Sequence, residues 1–402
     1  MTRNRSALAG ASILAALTLM SSCTDDSSST TSTATGAVGP TATAVTTSPS
    51  PTDAASTSVA IGPGEVTATG ISAERCAANK AAGKITYLTG FDYAAAASMA
   101  DVIVAKDKGY FAKMCLDVEI RSSFSTANYP LVAADTAQFA SGGSYAELLR
   151  QSGNGAKLEA VVIYGRTAIE ALLVPKSAGV TKLSDLKGKT IGVKGDLPPV
   201  IVSMLNRAGL VRGKDYKEVL LDGFDPRAHL DTGIDALPVY KSNEPGQLTA
   251  AGGKYADYTV FDPAADGTPG SFGVIFTSAG FAEKHPSAVQ DFIRADLRGW
   301  QDAAADPDAA VATAVKLIDA AGNPNFLSAT GESFRWKIES SIVSASSTGS
   351  PVGVIDPAAL QSQVDAYTDA KVFTTAPTIA GTYSTLAATV YDATGKLIWP
   401  AG

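Results

Sequence analysis

The sequence is poor in the side chains that most often bind metals or carry nucleophilic catalysis. Among 402 residues there are two histidines, His229 and His285, and three cysteines, with no C-x-x-C pair. This spacing predicts no metal site. The motifs H-E-x-x-H and G-x-S-x-G and the P-loop are also absent, and "GNGAKL" lacks the third glycine of a dinucleotide-binding loop. These absences exclude several enzyme classes that a sequence can reveal, and we expect no cofactor.

Clusters of basic residues and long apolar runs are missing as well. The 39 Asp and Glu outnumber the 32 Lys and Arg, for a net charge of −7, so we expect no nucleic-acid partner. The apolar run over residues 7–20 is short for a transmembrane helix. It follows Arg3 and Arg5, as the core of a secretory signal does. The sequence therefore predicts an exported protein with a signal peptide over residues 1–22.

The signal core ends in "LMSSC", where Cys23 follows two serines. This pattern resembles the lipobox of bacterial lipoproteins, which are cut before the cysteine and acylated on it, although Met20 stands where Leu is usual. The resemblance implies a lipid anchor on Cys23 at the outer face of the cytoplasmic membrane. The alternative is an ordinary secretory signal with an incidental cysteine.

The stretch after Cys23 has almost no large apolar residue up to about residue 60. Such a composition cannot offset its conformational entropy, so we expect disorder there and assign residues 23–83 to a linker. With Cys23 set aside, Cys76 and Cys115 remain as an even pair. In an oxidising compartment this pair is predicted to form a disulfide, and two buried free thiols are the alternative.

The rest of the chain alternates between strand-like and helical segments. Short runs rich in branched residues, such as "KITYLTG", "LEAVVIYG" and "KTIGVKG", are separated by stretches with helical periodicity. This order predicts an α/β fold of mostly parallel sheets flanked by helices, and the length suits two lobes. Toward the C-terminus, Pro286 and Pro307 mark the starts of two helices, the second capped by Asp306 and ending before Gly322. His285 is then a helix-start residue, neither a ligand nor a catalyst.

The order of "ITYLTGFDY", "KGYFAKMCLDVEI", "LSDLKGKTIGV" and "DALPVYKSNEP" resembles the solute-binding proteins of bacterial ABC importers. More narrowly, it resembles the NMT1/THI5-like group, whose members bind thiamine pyrimidines, sulfonates, nitrate or riboflavin. The resemblance implies the type II periplasmic-binding-protein fold, with two lobes joined by two crossover segments. We expect these crossovers near residues 174–176 and 270–276. Lobe 1 would then hold residues 84–175 and 271–402, including the C-terminal helices, and lobe 2 residues 176–270.

The resemblance also implies partners. A monomer would close its two lobes on a small ligand and deliver it to an ABC permease that works with a cytoplasmic ATPase. Fungal members of the group are enzymes that make the thiamine pyrimidine with an iron site and a sacrificed histidine. Neither histidine of this chain falls in a loop expected at the cleft, so we predict a binding protein and no enzyme. A surface interaction or structural protein, without a closed cleft, is a third possibility.

Ligands of open parallel sheets bind beyond the carboxyl ends of the strands. That rule and the family's Y-x-x-N-E-P pattern nominate ten ligand-binding residues: Asp92, Tyr93, Ser141, Gly142, Ser144, Tyr145, Asp196, Tyr240, Asn243 and Glu244. Each has a structural alternative. The tyrosines suit a core, the two aspartates suit turns or caps (the reading we favour for Asp196), and Asn243 with Glu244 suits a solvated turn.

The charge of these loops favours one class of ligand. A carboxylate about 4 Å from an anion costs ~1 kcal/mol in water and ~4 kcal/mol at a protein-like dielectric, so Asp92 and Glu244 disfavour sulfonate, taurine or nitrate. Carboxylates suit N–H groups and tyrosines suit flat rings. We therefore expect an N-heterocycle of the thiamine-precursor type, with riboflavin or another heterocycle as the alternative. The "AAAAS" run at residues 94–98 replaces a polar stretch common in the pyrimidine branch, which predicts a wall open to a larger ring.

Overall fold

The protein is described by a computed structural model that covers residues 63–223 and 225–400. The predicted signal peptide, Cys23 and the linker up to residue 62 lie outside these residues. Across the described ranges, none of the helices combines the length and the apolar character needed to cross a membrane.

The folded part begins earlier than the domain prediction placed it. A hairpin of β1 (Val66–Thr67) and β2 (Gly70–Ile71) leads into α1 (Ala73–Lys80), whose first turn is capped by Ser72. The Oγ of Ser72 accepts a hydrogen bond from the N–H of Arg75 at 3.1 Å. The linker predicted over residues 23–83 is therefore too long at its C-terminal end, because residues 66–80 already form regular structure.

The remaining elements follow the predicted alternation and then a helical C-terminal part. The strands are β3 (Lys84–Leu88), β4 (Asp117–Arg121), β5 (Phe139–Gly142), β6 (Leu158–Gly165), β7 (Glu170–Pro175), β8 (Thr190–Val193), β9 (Lys217–Leu220), β10 (Leu237–Tyr240), β11 (Tyr258–Phe261) and β12 (Phe272–Ser278). The helices are α2 (Ala100–Asp107), α3 (Tyr110–Lys113), α4 (Ser125–Ala133), α5 (Tyr145–Gly153), α6 (Pro199–Arg207), α7 (Pro226–Asp231), α8 (Glu244–Ala250), α9 (Ala279–Lys284), α10 (Pro286–Ala305), α11 (Pro307–Ala320), α12 (Ala329–Ser346) and α13 (Pro357–Asp369).

The first lobe contains one five-stranded sheet, and the second contains a three-stranded and a two-stranded sheet. In the five-stranded and the three-stranded sheet one strand opposes its neighbours, so the sheets are less parallel than the sequence predicted. The first sheet has the order β4-β3-β5-β12-β6, with β3 parallel to β4 and β5, and β12 antiparallel to β5 and β6. In the second, β7 lies between β10 and β11 and is antiparallel to both, while β8 and β9 are parallel. A bridge between Ile191 and Ala236 connects β8 to the segment before β10. The opposed strands, β7 and β12, are those by which the chain enters each lobe from the other.

The crossover segments lie closer to the strand ends than predicted. The chain leaves the first sheet after Gly165 and enters the second at Glu170. It leaves the second after Phe261 and returns to the first at Phe272. The predicted crossover at residues 174–176 is wrong because Val174 pairs with Thr259 inside the second sheet. The other prediction, residues 270–276, overlaps the segment 262–271 only at its first two residues.

The C-terminal helices confirm the reading of the proline positions. Pro286 is the first residue of α10, and the side chain of Asp306 accepts from the N–H of Ala309 to cap α11, which ends before Gly322. His285 precedes α10 as its N-cap residue without a side-chain cap bond. The ring of Phe292 on α10 stacks on Phe139 with centroids 4.0 Å apart, which packs α10 directly against the first sheet.

A buried ionic cluster fastens α1 to α10. The carboxylate of Asp291, fully buried, accepts from Arg75 Nε at 2.7 Å, from Asn79 Nδ2 at 2.7 Å and from Arg294 Nε at 3.1 Å. A disulfide joins Cys76 of α1 to Cys115, directly before β4. The first folded helix is thus tied to the first lobe both covalently and by charge.

Candidate ligand-binding cleft

The segment "DALPVYKSNEP" lies beside the end of the first crossover, at the edge of the second sheet. Tyr240, the last residue of β10, pairs directly with Glu170, the first residue of β7. Directly opposed residues of an antiparallel pair extend their side chains on the same face, with Cβ atoms about 4.5–5.5 Å apart. Because Glu170 follows the crossover from the first lobe, this pair lies where the two lobes meet.

Tyr240 is surrounded by acidic side chains from both lobes. The residue is 38 % exposed, the largest exposure among the tyrosines predicted to bind a ligand. Burial raises the pKa of its hydroxyl well above the usual value, and the negative charges of Glu170, Glu147, Glu244 and Glu339 raise it further. A neutral ring with a half-open face therefore lies among four carboxyl groups.

Glu170 is the least compensated of these acids. It is 5 % exposed, and no side chain in the described ranges donates a hydrogen bond to it. Burial, with a smaller contribution from the charge of Glu147, raises the pKa of Glu170 to about 7, although backbone N–H groups and the ammonium of Lys241 act against the rise. Lys241 is itself held by Asp262, at 2.9 Å and 3.0 Å.

Glu147 and Tyr129 form the side of the site that the first lobe provides. The Tyr129 hydroxyl donates to Glu147 Oε2 at 3.1 Å, and its ring stacks on Phe276 with centroids 4.7 Å apart. A Cβ at position 142 would lie 2.7 Å from that hydroxyl, so Gly142 makes room for the tyrosine and need not contact a ligand. Burial is the main cause that raises the pKa of Glu147.

Glu244 is engaged by the protein itself. Its Oε1 accepts from Lys194 Nζ at 2.5 Å, and its Oε2 accepts from the N–H of Tyr240 at 2.8 Å, with 3 % of the residue exposed. An N–H group of a ligand that bound Glu244, as predicted, would have to compete with these two donors. The carboxylate instead fixes the turn between β10 and α8.

Helix α12 joins the two lobes beside this turn. Glu339 accepts from the N–H of Ala97 in the first lobe and from Ser242 Oγ in the second, both at 2.7 Å. One turn earlier, Arg335 donates to Asn243 Oδ1 at 2.9 Å. Burial is the main cause that raises the pKa of Glu339 to about 7. Asn243 is therefore a lobe-to-lobe contact at the start of α8.

The alanine run at residues 94–98 does not form the open wall that the sequence predicts. Ala94 to Ala97 are at most 5 % exposed, and the N–H of Ala95 donates to Glu332 of α12 at 2.6 Å. Ala94 and Ala96 pack against Met99 and Leu327. The space that smaller side chains would leave is filled by α12 and the segment before it.

Two of the ten predicted residues have the structural roles that their alternatives describe. Tyr145 is fully buried, and its hydroxyl pairs with Thr382 Oγ1 at 2.5 Å, so it is a core residue. Asp196 lies on the surface, paired with Arg212 at 2.5 Å and Arg150 at 3.3 Å. The burial of Tyr145 leaves it no face for a ligand, so that prediction is wrong. The role predicted for Asp196 stays a prediction, beside the structural role that its two ion pairs give it.

The other predicted residues have structural partners at the ends of β3 and β5. Asp92 accepts from Ser122 Oγ at 3.1 Å, and Tyr93 accepts from the N–H of Ser122 at 3.2 Å. Ser141 Oγ lies 2.5 Å from Ser98 Oγ, and Ser144 is the N-cap of α5. Within the described ranges, neither Asp92 nor Tyr93 forms a hydrogen bond with Tyr240 or with the four acids around it.

The site residues that the sequence did not nominate are Tyr129, Glu147, Glu170, Lys194 and Glu339. Glu147 stands at the end of "FASGGSYAE", a loop that was nominated for its smaller residues. Glu170 opens the otherwise apolar strand "EALLVP", and a lone acid before a buried strand is a signal that could have been used. In the described part of the chain, no three His, Cys, Asp or Glu side chains are placed to hold a metal ion.

Comparison with known proteins assigns the family. The sequence profile described as "NMT1/THI5 like" matches residues 96–310, more than half of the chain. The chain belongs to this family. The riboflavin-binding protein RibY of Chloroflexus aurantiacus is 29% identical over 231 residues, which cover 54% of this chain and 61% of RibY. The chain thus aligns with less than two thirds of that relative.

Solved structures identify the fold as the periplasmic-binding-protein fold. The alkanesulfonate-binding protein SsuA of Xanthomonas axonopodis pv. citri, bound to MOPS, superposes with a TM-score of 0.54 at 16% identity, over 75% of this chain and 98% of SsuA. The desulfurization enzyme DSZB superposes with a TM-score of 0.51 at 14% identity, over 76% of this chain and 98% of DSZB. Because an enzyme shares the fold, function has to be argued from the site.

Proposed function

We propose that this protein is an extracytoplasmic solute-binding protein of an ABC importer, which captures a small N-heterocycle between its lobes. The observation that carries the proposal is the position of Tyr240, a half-exposed ring at the junction of the lobes among Glu147, Glu170, Glu244 and Glu339. Such a site offers a flat surface for stacking and acceptors for N–H groups. Four carboxyl groups disfavour an anion at the same place.

The proposal extends to the cell surface. The protein would be exported, anchored by lipid on Cys23 and monomeric, and its closed form would be recognised by a permease that is driven by an ATPase. A bound ligand favours closure only to the extent that it binds the closed state more tightly. Replacing Cys23 by Ser should then release the protein from the membrane fraction, whereas a protein that stays in that fraction would argue against the lipid anchor.

The ligand class is tested by a thermal-shift screen of the exported protein. The panel contains thiamine, its aminopyrimidine precursor, riboflavin, taurine, an alkanesulfonate and nitrate. A ligand present at a hundred times its Kd adds ~2.7 kcal/mol to the free energy of unfolding of the protein. The melting temperature of the protein then rises measurably. A rise with a heterocycle alone supports the proposal. A rise only with an anion would contradict the role given to the four acids.

Riboflavin is the second candidate ligand because of the similarity to RibY. The buried alanine run argues for a smaller ligand than the sequence suggested, since α12 fills the space beside it. A larger thermal shift with riboflavin than with the aminopyrimidine would favour the second candidate. An enzymatic role is tested by incubation of each bound heterocycle with and without a chelator, where we expect the compound to be recovered unchanged.

A further inference from the structure

The acids around Tyr240 differ in how far the protein already neutralises them. Glu244 accepts from Lys194 and from the N–H of Tyr240, and Glu339 accepts from Ala97 and Ser242. Glu147 accepts from the Tyr129 hydroxyl. Each of these carboxylates therefore has a donor from another residue before any ligand arrives.

Glu170 differs from the other three acids. It is 95 % buried, and no side chain in the described residues donates a hydrogen bond to it. The positive charge that acts on it, that of Lys241, is bound to Asp262 at 2.9 Å. A buried carboxylate that lacks a hydrogen-bonded counter-charge is costly to the folded protein, and such costs are retained mainly where function needs the group.

The position of Glu170 directs it to the space that Tyr240 borders. The two residues are direct partners on one face of the second sheet, and Tyr240 is 38 % exposed to solvent. Glu147 approaches the same place from the first lobe, since its charge acts on both Glu170 and Tyr240. Two acids, one from each side of the junction, therefore act on a single ring.

We infer that Glu170, with Glu147 across the junction, selects a ligand that bears a flat, positively charged group. This inference rests on the proposed function and specifies the charge of its ligand. An organic cation is favoured over a metal ion because no three metal-binding side chains converge in the described ranges. The delocalised charge of an amidinium or a protonated aminopyrimidine gives Glu170 its missing partner and stacks on the Tyr240 ring.

The first test compares two probes of equal shape. Benzamidine is a flat cation at pH 8 and benzamide is its neutral isostere, and their affinities are measured by calorimetric titration of the exported protein at that pH. We expect the cation to bind at least tenfold more tightly to the native protein. In Glu170→Gln this preference should disappear, because the carboxylate that distinguishes the two probes is gone.

A matched control comes from the first sheet. Burial alone raises the pKa of Glu159, on β6, to about 7, the same value as for Glu170, but Glu159 pairs with Thr277 away from the junction. Glu159→Gln should keep the full preference for benzamidine. Loss of the preference in both variants would show a general effect of removing a buried acid and would overturn the inference.

A second measurement uses no ligand. Four titratable groups influence Glu170: Glu147 and Tyr240 beside it, Lys241 after β10, and Tyr367 of α13. Because the pKa of Glu170 is raised to about 7 in the folded protein, the stability that its neutral form provides is lost as the pH rises from about 4.5 through 7. Glu170→Gln should therefore gain melting temperature over the native protein at pH 8 and not at pH 4.5. A lower melting temperature at pH 8 would make Glu170 a structural residue and overturn the inference.

The remaining outcomes separate this inference from the proposed function. If riboflavin or another neutral heterocycle binds tightly and Glu170→Gln does not weaken it, the function stands and the inference falls. If neither probe and none of the heterocycles binds, the proposed function fails and the inference fails with it.

Discussion

Asp291 and Glu170 are both almost fully buried carboxylates, but their surroundings are opposite. Asp291 accepts hydrogen bonds from Arg75, Asn79 and Arg294. Glu170 has no side-chain donor, and a carboxyl group approaches it from the other lobe. The first group holds α1 on α10 and leaves nothing for a ligand. Glu170 lacks a side-chain donor in the protein alone, and for that reason we propose it as a binding residue.

The largest expected effect on the free energy of unfolding comes from removing Asp291 from its hydrogen-bonded group. Asp291→Ala would leave two buried guanidinium groups without their shared partner, and the loss of one member of a buried ion pair typically costs about 3–5 kcal/mol. Equilibrium unfolding in urea should show this loss. Glu119→Gln is the control, because Glu119 is paired with Arg121 and Lys84 at the surface. Its unfolding curve should overlay that of the native protein, and an Asp291→Ala curve that also overlays it would contradict the assignment.

Glu244 tests whether the turn before α8 belongs to the structure or to the ligand site. Glu244→Gln weakens a charge-assisted bond to Lys194, and hydrogen bonds to charged groups contribute about 1.5–3 kcal/mol. We expect this loss in the unfolding free energy of the ligand-free protein. A stability unchanged by the substitution, with a heterocycle bound more weakly, would instead restore the direct ligand contact that the sequence predicts.

A third kind of buried acid extends the comparison to the core. Asp101 and Asp296 are fully buried beside each other, and the Tyr164 hydroxyl donates to Asp296 Oδ2 at 2.7 Å. Burial and then the neighbouring acid raise the pKa of Asp296 well above its usual value. The associated stability is present at low pH and is lost as the pH rises through the folded pKa. Asp296→Asn mimics the protonated side chain and should flatten this loss, by about 1.4 kcal/mol for each pKa unit that separates the folded and unfolded values, measured as urea unfolding from pH 5 to 9. An unaltered dependence of the unfolding free energy on pH would contradict the raised pKa of Asp296.

The smallest expected effect concerns the contact between the lobes. Ser242→Ala removes the hydroxyl that donates to Glu339, and a single hydrogen bond contributes ~1 kcal/mol. Since this bond joins the two lobes, its loss should raise the dissociation rate of a bound heterocycle about fivefold in stopped-flow measurements. Ser340→Ala serves as the control on the same helix, because Ser340 donates only to the backbone of α12. Equal dissociation rates in the two variants would exclude Ser242 from closure.

The fold was largely predictable because it depends on local patterns. Pro286 and Asp306 mark helix starts by their own backbone chemistry, and alternating strands and helices gave the α/β class. The crossovers were misplaced because "EALLVP" reads as a continuation of β6, and only the pairing of Val174 with Thr259, 85 positions later, assigns it to the second sheet.

The site was less predictable for a related reason. Tyr240 and Tyr145 both stand at strand ends or helix starts in the sequence, and only long-range packing buries one and leaves the other open. The sequence does not predict Glu170 as a site residue because its position in the site depends on its pairing with Tyr240 and on the charge of Glu147 from the other lobe. Local sequence patterns identify the residues that begin helices or form turns, but they do not show which buried acids lack a hydrogen-bond donor.

The disulfide between Cys76 and Cys115 sets the path along which the domain carries a mechanical load. A force applied to the chain at its first described residues acts on the β1–β2 hairpin and α1. The disulfide transmits this force directly to the first lobe. Residues 166–169 and 262–271, which connect the lobes, lie outside that path. Tension on the N-terminal segment is therefore borne by the first lobe and does not stretch the two segments that lead to the second.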